Sequence, residues 1–325
     1  MKAIDRFKSW LAGDTVASAV RSITVQHVAG NDGVWTGEHV TASSALSLPS
    51  VWACVNLIAG SIASLPVQVY RDKADGEREV DKAHSLYRLL HDRPNYDQTA
   101  LDFWEFMAAS LELWGNAYAV IERSDDRITS LVPVNPALVA VRRLPNGSIE
   151  YRWSEDGKDN RHTDATMFHV RGFGGNPLGG MSTLHFGRQA FGLAQAAGRS
   201  ASTTFANGMR PSGVLKFTDW LKPDQRELAE NVMAQKLAGA ANAGRLMVLE
   251  GGVEFSPLTM KPEDAQMLET QRYTVEEVCR FFGVPPHMVG HTEKSTSWGS
   301  GIEQQTLGFV KFTLRRRVKR IEQAI

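Results

Sequence analysis

Cysteine, net charge and long apolar runs are the things this chain has little of. Only Cys54 and Cys279 occur in 325 residues. Each falls on an apolar helical stripe, which points to reduced, buried thiols rather than a disulfide, fits a cytoplasmic protein and suggests no redox role. Thirty-six Lys and Arg balance thirty-six Asp and Glu, so the molecule has no global cationic field of the kind that drives non-specific DNA binding, and any DNA contact has to be local or transient. Gly, Ser, Asn or charge interrupts every apolar stretch before the roughly 20 residues that span a bilayer, so a soluble protein without membrane contact is expected. The segment Met1 to Trp10 is mildly amphipathic but has no apolar core followed by a small-residue cleavage site. It reads as a peripheral helix or frayed arm, not a secretory signal. No internal repeat or low-complexity tract is visible, which excludes a solenoid.

Catalytic patterns are missing too. Gly174 and Gly179 have the separation of a phosphate loop, but Gly180-Met181 follow where Lys and Ser or Thr would hold phosphate and magnesium. The segment Gly172 to Gly180 is therefore expected to be a hinge or tight connector. Gly180-Met181-Ser182-Thr183-Leu184 fails the nucleophile-elbow pattern for want of the last glycine, and Ser182 reads as an N-cap. His287 and His291 are spaced like metal ligands on a helix, yet Pro285-Pro286 before them and Gly290 between them argue against helical presentation. Asp125-Asp126 and Glu276-Glu277 would diverge on regular elements and look like solvated faces. No cofactor is implied.

What is present is 42% hydrophobic content, enough for one substantial core or two smaller ones. Residues 13 to 46 lack periodicity and read as an arm, with the folded body starting near Ser47. Pro49 opens a helix with Val51, Cys54, Val55, Ile58 and Ile62 on its apolar face, ended before Pro66. Val67 to Tyr70 alternates like a strand, Asp75-Gly76 marks a turn, and a short helix covers Ser85 to His91. A longer helix over Thr99 to Trp114 stops at Gly115-Asn116. Strands then follow at Ala117 to Ile121, Ile128 to Val134, Leu138 to Leu144 and Ser148 to Trp153, the last two joined by the hairpin signal Pro145-Asn146-Gly147. Met167 to Val170 closes this β-rich block. Phe103, Trp104, Trp114 and Tyr118 fit a core better than a base-stacking surface.

Beyond the glycine segment the character is helical. Phe186, Ala190, Leu193, Ala197, Ala201 and Phe205 form one stripe whose small members would let the helix pack against copies of itself. Further helices are expected from Lys222-Pro223-Asp224 to about Leu237 and from Pro262 to Gly283, with a strand-like run at Leu246 to Leu249 between them. The last helix, from about Ile302, has a stripe of Leu307, Val310, Leu314, Val318, Ile321 and Ile325 and a second apolar patch at Ile302, Phe309 and Phe312. Lys311, Arg315, Arg316, Arg317, Lys319 and Arg320 make its strongest charge cluster, open to three readings: phosphate binding, acids on a neighbouring subunit, or a solvated face.

Several blocks carry a resemblance. Val51-Trp52-Ala53-Cys54-Val55-Asn56-Leu57-Ile58-Ala59 with Leu65-Pro66 comes first, then Leu86 to Leu90, Arg93-Pro94-Asn95 and Gly115-Asn116-Ala117-Tyr118. Asn207 to Gly213, Phe282 to Met288 and Ile302-Glu303-Gln304-Gln305 follow. In this order, from Ser47 to Ile325, they resemble the HK97-like portal proteins of tailed bacteriophages. That resemblance implies an α+β portal fold: an N-terminal arm over 1–46, a mixed α/β wing over 47–180, a first stem helix over 181–207, a small α/β clip over 208–258, a second stem helix over 259–283, and a tunnel loop with a C-terminal channel-side helix over 284–325. It implies a structural channel rather than an enzyme: a self-assembled ring, a dodecamer, at the capsid vertex of the virion, assembled in the bacterial host cytoplasm. Double-stranded DNA would pass through it without sequence preference, and the large terminase subunit, the major capsid protein and head–tail adaptor proteins would be its partners.

On the same footing His291, Thr292, Glu293, Lys294, Ser295, Thr296, Ser297 and Trp298 belong to the tunnel loop. Those residues are mostly short or polar with one cation, suited to weak contact with a moving polymer. Family members generally continue past the last matched helix into more wing and a crown, so a C-terminal segment is expected to be missing here, and many have proline near the position of Arg316. The alternative is a ligand-binding module or enzyme built on Gly172 to Gly180.

Overall fold

The structure, a computed structural model, describes residues 37–206, 213–216, 222, 224, 254–257, 273–291 and 300–325. The chain divides into two compact units, one of Met1–Gly192 with Val275–Ile325 and one of Leu193–Thr274.

Ordered structure in the first unit begins earlier than the expected Ser47. Helix α1, Ala42–Leu46, is nucleated by a capping box in which Thr41 and Ser44 exchange side-chain and backbone bonds, and Ala45 is fully buried. Helix α2, Pro49–Ala63, buries Val51, Cys54, Val55, Ile58, Ala59 and Ile62 as the spacing predicts. The strand expected at 67–70 begins three residues later. Strand β1, Tyr70–Asp72, bonds β2, Arg78–Val80, across the Gly76 turn. Helix α3, Ser85–His91, matches its expected bounds. Arg93-Pro94-Asn95 leads from it toward α4, Ala100–Trp114, which opens on a Thr99/Asp102 capping box and closes on Gly115 in the left-handed region.

Strand β3, Asn116–Ser124, is the centre of the unit. It pairs antiparallel with β4, Arg127–Val134, on one side and with β8, Met167–Arg171, on the other. Alternate residues point to opposite faces of a strand, and here both faces are covered. Ala117 and Ala119 of β3 with Phe168 and Val170 of β8 join α2 and α4 in one core. Tyr118 and Met167 face a second core with Val141, Ile149, Tyr151 and Trp153. Those residues come from a separate antiparallel sheet of β5, Ala140–Arg143, β6, Ile149–Glu155, and β7, Lys158–Thr163.

The β5–β6 hairpin turns at Gly147 as its sequence signals. Strand β7 is not in the sequence expectation, because Lys158-Asp159-Asn160-Arg161-His162-Thr163 has no apolar alternation. Its pairing follows from the Asp156-Gly157 turn, where both residues have positive φ. Phe103, Trp104 and Tyr118 are core residues, and the Trp104 Nε1–H donates to the Leu90 carbonyl at 3.0 Å.

Helix α5, Thr183–Ala206, starts in this unit with the Ser182 hydroxyl accepting the His185 N–H at 3.0 Å, the N-cap its sequence suggests. Leu184 and Phe191 point inward, and Phe186 is 46% exposed. In the second unit β9, Gly213–Lys216, pairs antiparallel with β10, Glu254–Pro257. The helix expected at 222–237 and the run at 246–249 lie outside the described residues. Helix α6, described over residues 273–282, brings Val278, Cys279 and Phe282 into the first unit's core.

The last helical stretch is not one uniform helix. Helix α7, Ser300–Gly308, widens into π-helical turns over Phe309–Leu314 before α8, Arg315–Ala324. The extra residue in a π turn shifts the phase of the helix. Leu307 and Val310, which a regular period places on the buried stripe, are 61% and 50% exposed. Phe309 and Thr313 are turned inward with Leu314 and Ile321.

Candidate functional site

After α6 the chain is locked in place. Gly283 has φ +68° and accepts the Thr313 hydroxyl on its carbonyl at 2.6 Å. Pro285 fixes an extended φ before a 3₁₀ turn, Pro286–Val289, which Gly290 closes in the left-handed region. His291 follows, its N–H on the Pro286 carbonyl at 3.0 Å and its Nε2 3.7 Å from a Glu276 oxygen. His287 and His291 thus sit on a tight turn and just after it, not one helical turn apart. Among the described residues no His, Cys, Asp and Glu cluster could hold a metal ion. Thr292, Glu293, Lys294, Ser295, Thr296, Ser297 and Trp298 lie outside the described residues. Their two anchors, His291 and the start of α7, do not.

The six-residue basic cluster is split by its helix. Arg317 faces inward and places its planar fork on both oxygens of Glu112, Nε at 2.5 Å and Nη2 at 2.9 Å. It also donates to the carbonyls of Thr313 and Phe282 at 3.1 Å. Arg320 donates to the carbonyls of Arg171 and Gly172. The Arg317 guanidinium is thus spent inside the protomer, and Arg320 has its Nη1 on backbone carbonyls. Lys319 pairs with Glu322 at 2.8 Å, and Lys311 lies 5.6 Å over the Phe312 ring. Arg315 and Arg316 are exposed, so the outward-facing part of the cluster is Lys311, Arg315, Arg316 and Lys319.

Glu112 is the residue that sequence reasoning missed. It is buried on α4 and receives, besides Arg317, the Thr183 hydroxyl at 2.9 Å. One carboxylate therefore ties α4, the start of α5 and α8 together, and through Arg317 the end of α6 (Phe282). A bidentate, hydrogen-bonded pair of this kind satisfies both charges in a dry site. The available signal was an acid inside the apolar face of one helix and a base between Leu314, Val318 and Ile321 of another. The Glu276–Glu277 pair proves half-buried, and both carboxylates lie against Arg280. Asp125 sits at an exposed turn with φ +55°.

The glycine segment is a tight connector. The Gly172 N–H donates to the Gly115 carbonyl at 2.7 Å, and a Cβ on Gly180 would lie 2.4 Å from the Gly172 nitrogen. Asn116, 1% exposed, holds Gly180 from both sides: its Oδ1 accepts the Gly180 N–H at 2.8 Å and its Nδ2 donates to the Gly180 carbonyl at 2.9 Å. His169 and Tyr151 continue the network, with His169 Nε2 on Asn116 Oδ1 at 2.9 Å and the Tyr151 hydroxyl on His169 Nδ1 at 3.1 Å. Much of the glycine backbone that a phosphate loop would offer to a ligand is thus occupied by the protein itself.

Comparison with known proteins accounts for this order of blocks. The family model "Phage portal protein" matches residues 49–325. The chain belongs to the phage portal protein family. It is 35% identical over 98% of its length to the portal protein of Enterobacteria phage HK97, spanning 76% of that protein. It is 30% identical over 88% of its length to the probable portal protein of Streptomyces phage phiC31, spanning 65% of it. Among solved structures it is similar to a chain in the neck of a native gene transfer agent particle computed with C12 symmetry, at a TM-score of 0.64 and 22% identity over 98% of this chain and 84% of that one. An HK97-family portal protein from Corynebacterium diphtheriae aligns with a TM-score of 0.56 over 85% of this chain and 86% of that one. The portal fold is α+β, as the resemblance implies, and the portal blocks now have structural reasons. Asn116 clamps Gly180, Asn95 holds the Leu131 carbonyl at 2.9 Å, and Phe282 to Met288 forms the locked end of α6. Portal proteins form a structural family of virion particles.

Proposed function

We propose that the protein assembles into a closed ring that forms the DNA channel at the capsid vertex, serving packaging and ejection and docking the packaging motor and the head–tail adaptors. The match to the portal family over residues 49–325 is the observation that carries this reading. The C12 symmetry of the gene transfer agent neck supports twelve copies. In this reading 47–180 is the wing, 181–207 and 259–283 are the stem helices, 208–258 is the clip that meets the large terminase and then the adaptors, and the major capsid protein surrounds the ring. Residues 291–300 form the tunnel loop. Arg317 and Arg320 are engaged inside the protomer, so two of the six cations of the C-terminal helix are drawn away from DNA. Each phosphate contact withheld lowers counterion release and loosens the hold on a translocating duplex.

Native mass spectrometry with negative-stain imaging of the purified protein tests the ring. Closed rings with a central hole are the expected result. A strictly monomeric folded protein at high concentration, unchanged when the chain is extended at its C-terminus, would overturn it.

A further inference from the structure

Cys54 on α2 and Cys279 on α6 are separated by 225 residues of chain, yet their Sγ atoms lie 3.9 Å apart in the buried core. We infer that this thiol pair is a disulfide-forming site, closed by a small uncharged two-electron thiol oxidant and reopened by a dithiol. The contact is specific in its placement. Cys279 lies four residues before Gly283 and the locked turn that ends at His291, so the bond would join the first long helix of the wing to the segment carrying one anchor of the proposed tunnel loop. A disulfide needs its sulfurs at about 2.05 Å, so the two thiols at 3.9 Å have roughly 2 Å left to close.

With hydrogen peroxide as oxidant the step balances as follows. The thiolate of one cysteine attacks a peroxide oxygen, leaving a sulfenic acid and releasing one water. The other thiol then attacks that sulfur, expelling a second water, so two thiols and one peroxide become one disulfide and two waters. Either sulfur can donate to the other across the 3.9 Å contact, so either cysteine can supply the attacking thiolate and its neighbour the resolving thiol. Both thiols are buried, so reaction waits on local opening and is slow, and bulky anionic reagents are excluded. Sequence alone points to reduced thiols because each cysteine falls on an apolar helical stripe, which fits a reducing compartment. In the portal reading a released particle leaves that compartment, so the bond belongs to the extracellular particle. The chemistry of the pair does not depend on that reading.

The test uses the full chain purified under reductant, then exposed to hydrogen peroxide or diamide, quenched, unfolded in an alkylating agent and mapped by peptide mass spectrometry without reduction. The expected product is a single Cys54–Cys279 cross-linked peptide, two hydrogens lighter than the sum of its parts and lost on dithiothreitol treatment. The oxidised protein should show a higher Tm, since the bond closes a long loop in the unfolded chain. Cys54→Ser and Cys279→Ser should each abolish the oxidant-induced rise. The wild-type peptide map does not depend on how those variants fold. Recovery of both cysteines as alkylated thiols after prolonged oxidation, or of sulfinic acids without a cross-link, overturns the proposal.

Discussion

A single carboxylate holds more of this protein together than any sequence motif announces. Glu112 is 4% exposed, and its carboxylate is held there by the Arg317 fork and the Thr183 hydroxyl. Removing one partner leaves an unpaired buried charge. Arg317→Ala and Glu112→Ala are each expected to destabilise the fold by about 3–5 kcal/mol, read from chemical denaturation. The double variant Glu112→Gln/Arg317→Met should cost clearly less than the two single changes together. A sum of independent costs would show that the pair is not coupled. Gly115→Ala tests the glycine packing: with φ +73° and its new Cβ 2.2 Å from the Met181 carbonyl carbon, the left-handed backbone alone costs about 1–3 kcal/mol and the clash adds to it. A melt within experimental error of wild type would contradict that geometry.

Among the elements, the β5–β6–β7 sheet carries a pH-sensitive contact. The side-chain hydrogen bond from Arg142 holds the Glu150 carboxyl below its ordinary 4.5. A depressed carboxylate contributes its stability above the unfolded pKa and loses it as pH falls through the folded one. The stability gap between wild type and Glu150→Gln should therefore be present at neutral pH, small because the pair is at the surface, and should vanish on acidification below 4.5. A gap that widened on acidification would have the wrong sign. The helices were legible where local rules suffice: Pro49, Thr99 and Gly115 each mark an end that the structure keeps. Strand β7 was not legible, because a polar strand is defined by its partner and its Asp-Gly turn, not by its own pattern. Nor was the change of phase over Phe309–Leu314, which a regular helical period hides.

On the scale of the whole molecule, the final helix decides the prediction. Leu307, Val310 and Phe312 are 61%, 50% and 67% exposed, three large apolar side chains that a lone protomer leaves wet. Leu307→Glu with Phe312→Glu should reduce ring formation in native mass spectra while the circular dichroism and Tm of the protomer stay close to wild type. Rings of unchanged abundance would exclude this face from the subunit contact.

Sequence by itself determined the family, the α+β class and the helix and hairpin ends, since these rest on ordered blocks, spacing and capping that act over a few residues. It also picked out the basic cluster of the last helix without being able to divide it. Only tertiary structure decided that Arg317 turns inward onto Glu112 in the core, that Arg320 donates to the Arg171 and Gly172 carbonyls, and that two cysteines 225 residues apart touch. Those outcomes depend on which surfaces meet when the helices pack, and partners far apart in the chain leave no local pattern to read.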